Sequence, residues 1–139
     1  MSLPDPHPTE VFEALRRRGP GTRIAVVGAS NNPAKYGNII VRNLAGKGYT
    51  VLPVNPHETE IEGIPAWPSL TAVPKPIHIV DIVTPPAVTN GILEEAGQLG
   101  LLAVWLQDGS WDDGTLAIAA NAPFRTVYGA CIMVATSYG

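Results

Sequence analysis

The stretch "VVGASNNPAKYGN", Val26 to Asn38, decides how the rest of the chain is read. Before it runs "RIAVV", Arg23–Val27; after it come Ile39, Ile40 and Val41. A short β-branched run ending in glycine reads as a buried strand. Ile39, Ile40, Val41 and Leu44 give an apolar face at helical spacing, with Gly46 and Gly48 as the stop. Strand, glycine loop, helix is the opening of a nucleotide-binding α/β fold. Gly28 permits a tight turn and lets an anion come close. Free N–H groups at the start of the helix can bind that anion. Ser30 and Asn31 add side-chain donors, Lys35 adds a charge, and Gly37 allows close helix–strand packing. The same residues serve equally well as a tight turn with no ligand.

Working outward, strands and helices alternate. "TVLPVNP" (Thr50–Pro56), "IHIVDIVTPP" (Ile77–Pro86) and "LLAVWLQDG" (Leu101–Gly109) read as further strands, and "FRTVYGACIMV" as a fifth with a short terminal element. "AVTNGILEEAGQLG" predicts a helix with Val88, Ile92, Leu93, Ala96 and Leu99 on its buried side. "SWDDGTLAIAANA" predicts another, with Ser110 as N-cap and Asp112 and Asp113 in its first turn. "TEVFEALRRRG" (Thr9–Gly19) is an amphipathic helix opened by Thr9, inside an N-terminal extension of residues 1–20. "ETEIEGIPAWPSLTAVP" has room for a hairpin-like turn and one helical turn near Ser69–Ala72. The expected fold is one doubly wound, Rossmann-like α/β domain over residues 1–139, with a five-stranded, mainly parallel sheet and helices on both faces.

Composition sets limits. The chain has 139 residues, enough for one real core, with 45% apolar and 15% charged residues and a net charge of −3. Nothing builds a basic face for nucleic acid; Arg16-Arg17-Arg18 complements a helix C-terminus. No apolar stretch reaches the ~18 residues of a membrane span. The N-terminus lacks a signal-peptide pattern, and the single cysteine, Cys131, suits a reducing compartment, so the cytoplasm is the expected location. Self-association through an edge strand, or a protein partner, is left open.

In doubly wound folds ligands sit beyond the carboxyl ends of the strands. That rule selects Gly28–Gly37, Pro53–Pro56, Val83–Pro86 and Gln107–Ser110. A nicotinamide dinucleotide meets two objections there. Gly28 is followed by Ala29, Ser30, Asn31, Asn32 and Pro33, so G-x-G-x-x-G is absent. The second strand ends in Val54-Asn55-Pro56, without the acidic residue that holds the ribose hydroxyls. Pro53, Pro56, Pro85 and Pro86 are rigid apolar rims that could wall an adenine, or simply end strands and start helices. Trp105 reads as core, His78 as a satisfied strand residue, and Cys131 as a small buried hydrophobe. His7 and His57 fall in tail and loop, and no metal-ligand spacing or catalytic constellation emerges.

Taken in order, "IAVVGASNNPAKYGNIIVRNLAGKGYTVLPVNP", "GIPAWPSL", "VDIVTPP", "AVWLQDG" and "CIMV" resemble the stand-alone CoA-binding proteins, whose domain is like that of succinyl-CoA synthetase. The resemblance runs from Arg23 to Val134. It implies coenzyme A, or an acyl-CoA, as the ligand of a non-catalytic binding or regulatory module. By that resemblance Gly28, Ala29 and Ser30 would hold the diphosphate, with Lys35 and Tyr36 nearby. Pro53, Val54 and Asn55 would flank the nucleotide, and Val83, Thr84, Pro85 and Pro86 would wall the adenine. Gln107 and Gly109 would lie toward the pantetheine arm. Related ligases use a phosphohistidine domain and a nucleotide-grasp partner, for which 139 residues leave no room. The alternative is an NAD(P)-binding oxidoreductase or dinucleotide-sensing domain.

Overall fold

The computed structural model describes residues 8–137. Five strands form one parallel sheet: β1 (Arg23–Val27), β2 (Thr50–Val54), β5 (Ile79–Ile82), β6 (Ala103–Leu106) and β7 (Arg125–Tyr128), in spatial order β2-β1-β5-β6-β7. Each central strand is buried on both faces, which explains its nearly continuous apolar sequence. The excursion after β2 makes a two-stranded antiparallel hairpin, β3 (Glu60–Ile61) with β4 (Ile64–Pro65). Trp67 then bridges to Val54, covering the outer edge of β2. Pro53 is tolerated in β2 because that strand lies at the sheet's edge.

Helices cover both faces, as expected. α1 (Thr9–Arg16), α2 (Tyr36–Gly46) and α5 (Ile132–Ala135) pack on one face through Val11, Leu15, Ile40, Val41, Leu44 and Ile132. α3 (Pro86–Gln98) and α4 (Asp113–Ala120) pack on the other through Leu93, Ala96, Leu116 and Ala119. Trp105 is fully buried between β6 and the α1 face, and its indole N–H donates to the Ala130 carbonyl. His78 precedes β5, where its Nδ1 accepts from the Arg23 N–H.

Several local expectations differ from the fold. Helix α4 is capped by Asp112, whose side chain accepts from the Thr115 N–H while the Thr115 hydroxyl receives the Asp112 N–H. Those hydrogen bonds hold the Asp112 carboxyl below its usual range. Ser110 is instead buried, and its hydroxyl donates to the Gln107 carbonyl. Thr9 is the first helical residue of α1 and Pro8 its N-cap. Ser69–Val73 makes two successive hydrogen-bonded turns and no helix. Ile39 and Val88 are exposed, at 36% and 52%, although both belong to apolar helical patterns. Cys131 is half-buried, not enclosed. His7 lies outside the described residues.

Candidate functional site

The chain reverses direction across the sheet between β1 and β5, and the loops after these strands meet. Gly28 sits at φ +96°, a conformation that favours glycine, and a Cβ there would lie 2.7 Å from a Val83 methyl. A Cβ on Gly37 would lie 2.1 Å from the Gly28 carbonyl oxygen. The two glycines therefore bring the start of α2 directly onto the end of β1. Gly37 performs, nine residues downstream of Gly28, the packing role that a dinucleotide fingerprint gives to its third glycine.

Side chains set the loop's polarity. Asn55, just past β2, donates to the Ala29 carbonyl at 2.9 Å. Asn38, buried in the first turn of α2, donates to the Ser30 carbonyl at 2.9 Å. Both carbonyls are thus tied back. The N–H groups of Ala29, Ser30 and Asn31 have no backbone acceptor among the described residues. Successive free N–H groups beside a helix start form an anion site. Ser30 Oγ accepts from the Asn32 N–H, and Asn32 Oδ1 from the Ala34 N–H, so the loop holds its own shape. Asn31 is not available as a ligand donor, because its amide donates to Glu58 Oε2 and to the Glu60 carbonyl. It pins the loop to the β3–β4 hairpin. Lys35 is exposed and makes no ion pair among the described residues.

These groups open onto a cleft of about 310 Å³. Of the expected residues, Gly28, Ala29, Ser30, Lys35, Val54, Asn55 and Thr84 line it. Pro53 is buried inside β2, and Val83 packs against the α2-side core. Pro85 and Pro86 cap and begin α3 outside the lining. Sequence reasoning missed the far wall, built by Pro68, Ser69, Leu70, Ile92 and Glu95, together with Val88 as a wall rather than a core residue. A signal was present. Thr89, Leu93 and Ala96 form the buried stripe of α3. Val88, Ile92 and Glu95 form the adjacent stripe, so the apolar pattern was wider than one core-facing face requires. A wider groove of about 500 Å³ between α3 and α4 lies away from the carboxyl ends of the strands, and no lysine or arginine lines it.

The remaining expected residues gather beside the α2 face. Tyr36 Oη lies 2.9 Å from Cys131 Sγ. Burial first, then Cys131 and the nearby Asp81 and Asp108, push the Tyr36 phenol above its ordinary pKa. Gln107 is fully buried and donates to Asp81 Oδ1 at 2.6 Å, while Gly109 turns at φ +88° beyond it. Asp81 is also fully buried, and desolvation pushes its carboxyl up to about 8 despite the opposing Gln107 hydrogen bond. Asp81 Oδ2 and Gln107 Oε1 have no hydrogen-bond partner among the described residues. Sequence reasoning did not single out Asp81, which sits in an otherwise apolar strand. Among the described residues no His, Cys, Asp and Glu cluster is arranged to hold a metal.

A family model described as a CoA binding domain matches residues 22–137. The uncharacterized protein YneT of Bacillus subtilis is 29% identical over 133 residues, covering 96% of each chain. The ADP-forming acetate–CoA ligase I of Archaeoglobus fulgidus is 39% identical over 75 residues, 54% of this chain but 11% of the ligase. The chain therefore spans about a tenth of that enzyme. Among solved structures, a conserved hypothetical protein from Pyrococcus furiosus matches with TM-score 0.79 and 42% identity, covering 81% of this chain and 97% of its own. A hypothetical protein from Pyrococcus horikoshii matches with TM-score 0.82 and 31% identity, covering 97% and 94%. No helix of the described residues is long and apolar enough to cross a membrane.

Proposed function

The chain belongs to the CoA-binding domain family, and from that premise we propose that it binds coenzyme A or an acyl-CoA in the cleft beside Gly28 as a binding or regulatory module. The observation that carries the reading is the Ala29–Ser30–Asn31 loop. Its Ala29 and Ser30 carbonyls are held back by Asn55 and Asn38, and among the described residues its N–H groups have no backbone acceptor and the neighbouring Lys35 no ion pair. That arrangement suits a diphosphate. Thr84, Val54 and the apolar walls then lie within one continuous cleft for the rest of the nucleotide.

Asn55 also bears on the dinucleotide alternative. Its amide donates to Ala29 and its oxygen accepts from the His57 N–H, so the end of β2 offers no carboxylate to a ribose diol. This favours CoA over NAD. Calorimetric titration with CoA, dephospho-CoA and NAD tests the choice. Saturable heat with both CoA forms is expected. Heat with NAD and none with either CoA form would sink the proposal.

A further inference from the structure

The cleft has a second end with the opposite charge. Val88, Ile92 and Glu95 are spaced four and three residues apart, so they stack along one stripe of α3. Seven residues of helix place Glu95 about 10 Å beyond Val88. The helix begins at the carboxyl edge of the sheet, so this stripe runs away from the Gly28 loop and along the cleft. Pro56, Pro68 and Leu70 complete the apolar lining. Glu95 lines the cleft too, and it is half-buried. Its Oε2 accepts from the Thr71 N–H at 2.8 Å and from the Thr71 hydroxyl, which ties the Ser69–Val73 turns to α3. Its Oε1 accepts no hydrogen bond among the described residues.

A carboxylate can only accept hydrogen bonds. No lysine or arginine pairs with Glu95 among the described residues, so its second oxygen is available to accept from a ligand donor. The same charge repels a phosphate. The cleft is therefore directional: Lys35 and free N–H groups belong to one end, and Glu95 to the other. Between them lie the apolar side chains of Pro56, Pro68, Val88 and Ile92, which can enclose an aromatic ring.

We propose that Glu95 is a base-specificity residue that accepts a hydrogen bond from the exocyclic amine of an adenine ring held between Pro56 and Pro68 on one side and the Val88–Ile92 stripe on the other. The inference rests on the reading of this cleft as a CoA site. A purine with an oxo group in place of the amine would set acceptor against acceptor. Sites built to hydrogen-bond a ligand group reject analogues that cannot reciprocate.

The test compares CoA with its hypoxanthine analogue, which carries the 6-oxo group, by calorimetry on the full chain. The wild type is expected to prefer CoA by roughly tenfold or more, the scale of a hydrogen bond to a charged group. Glu95→Gln keeps a carbonyl for Thr71 and offers an amide donor to the ring. It should erase or invert the preference while thermal unfolding shows a folded protein. Equal affinity of the wild type for the two ligands would overturn the inference and leave the CoA reading intact. So would an undiminished preference in Glu95→Gln. If the wild type binds neither ligand, the CoA reading itself fails and the inference falls with it. The wild-type comparison stands alone should Glu95→Gln prove unstable.

Discussion

Two polar clusters share the carboxyl edge of the sheet, and they are built in opposite ways. On the α3 side, Ser30, Asn55 and Lys35 border an open cleft, with carbonyls bonded and N–H groups spare. On the α2 side, Asp81 and Gln107 are wholly buried, bonded to one another and each left with an oxygen that has no partner among the described residues. Tyr36 and Cys131 form a further contact on that side. The open cluster leaves hydrogen-bonding capacity for a ligand. The closed one seals an acid inside the fold, where burial favours its neutral, protonated form. Polar residues at strand ends are thus not equivalent; exposure decides which can serve binding.

The largest expected effect tests the closed cluster. The Asp81 pKa is raised from 3.8 to about 8, chiefly by burial. Between these values the folded state holds a proton that the unfolded state has lost. The stability this provides is fully present below about pH 4 and declines as pH rises toward about 8, by up to roughly 1.4 kcal/mol per unit. Denaturant titrations of wild type and Asp81→Asn across that range should show the variant losing less stability as pH rises. Parallel curves would mean that Asp81 is not the buried acid described here.

The open cluster comes next. Ser30→Asp places a carboxylate beside the proposed diphosphate and should weaken CoA binding by about a hundredfold or more, the scale of a like charge in a partly buried site. Unchanged affinity would place the phosphates elsewhere. The smallest effect is expected where the clusters approach each other. Tyr36→Phe removes the hydroxyl that touches Cys131 and should shift unfolding stability by less than about 1 kcal/mol. A loss of CoA affinity greater than tenfold in that variant would bring the α2 side into the ligand site and dissolve the distinction between the clusters.

Much of this was legible in the chain itself. The β-branched run before Gly28, the turns between apolar segments and the strand–helix alternation all report local chemistry, and the five-stranded parallel sheet follows from them. The hairpin after Pro56 was legible for the same reason. Asn38 was not, because its function is to hold a carbonyl eight residues away in a neighbouring loop. Ser110 was misread as a cap because Asp112, two residues on, has the same capping chemistry and the better position. Val88 looked like core because hydrophobicity does not distinguish a wall of the protein interior from a wall of a cleft.

The sequence by itself determined the order of elements, the glycine turn after β1 and the family resemblance, since periodicity, turn chemistry and motif order are properties of neighbouring residues. Only the tertiary structure decided which polar groups face the cleft and which are sealed inside. It set Glu95 along the same cleft as Lys35 and buried Asp81 beside Gln107. Those placements depend on strand order and helix rotation, and neither is written in any short run of residues.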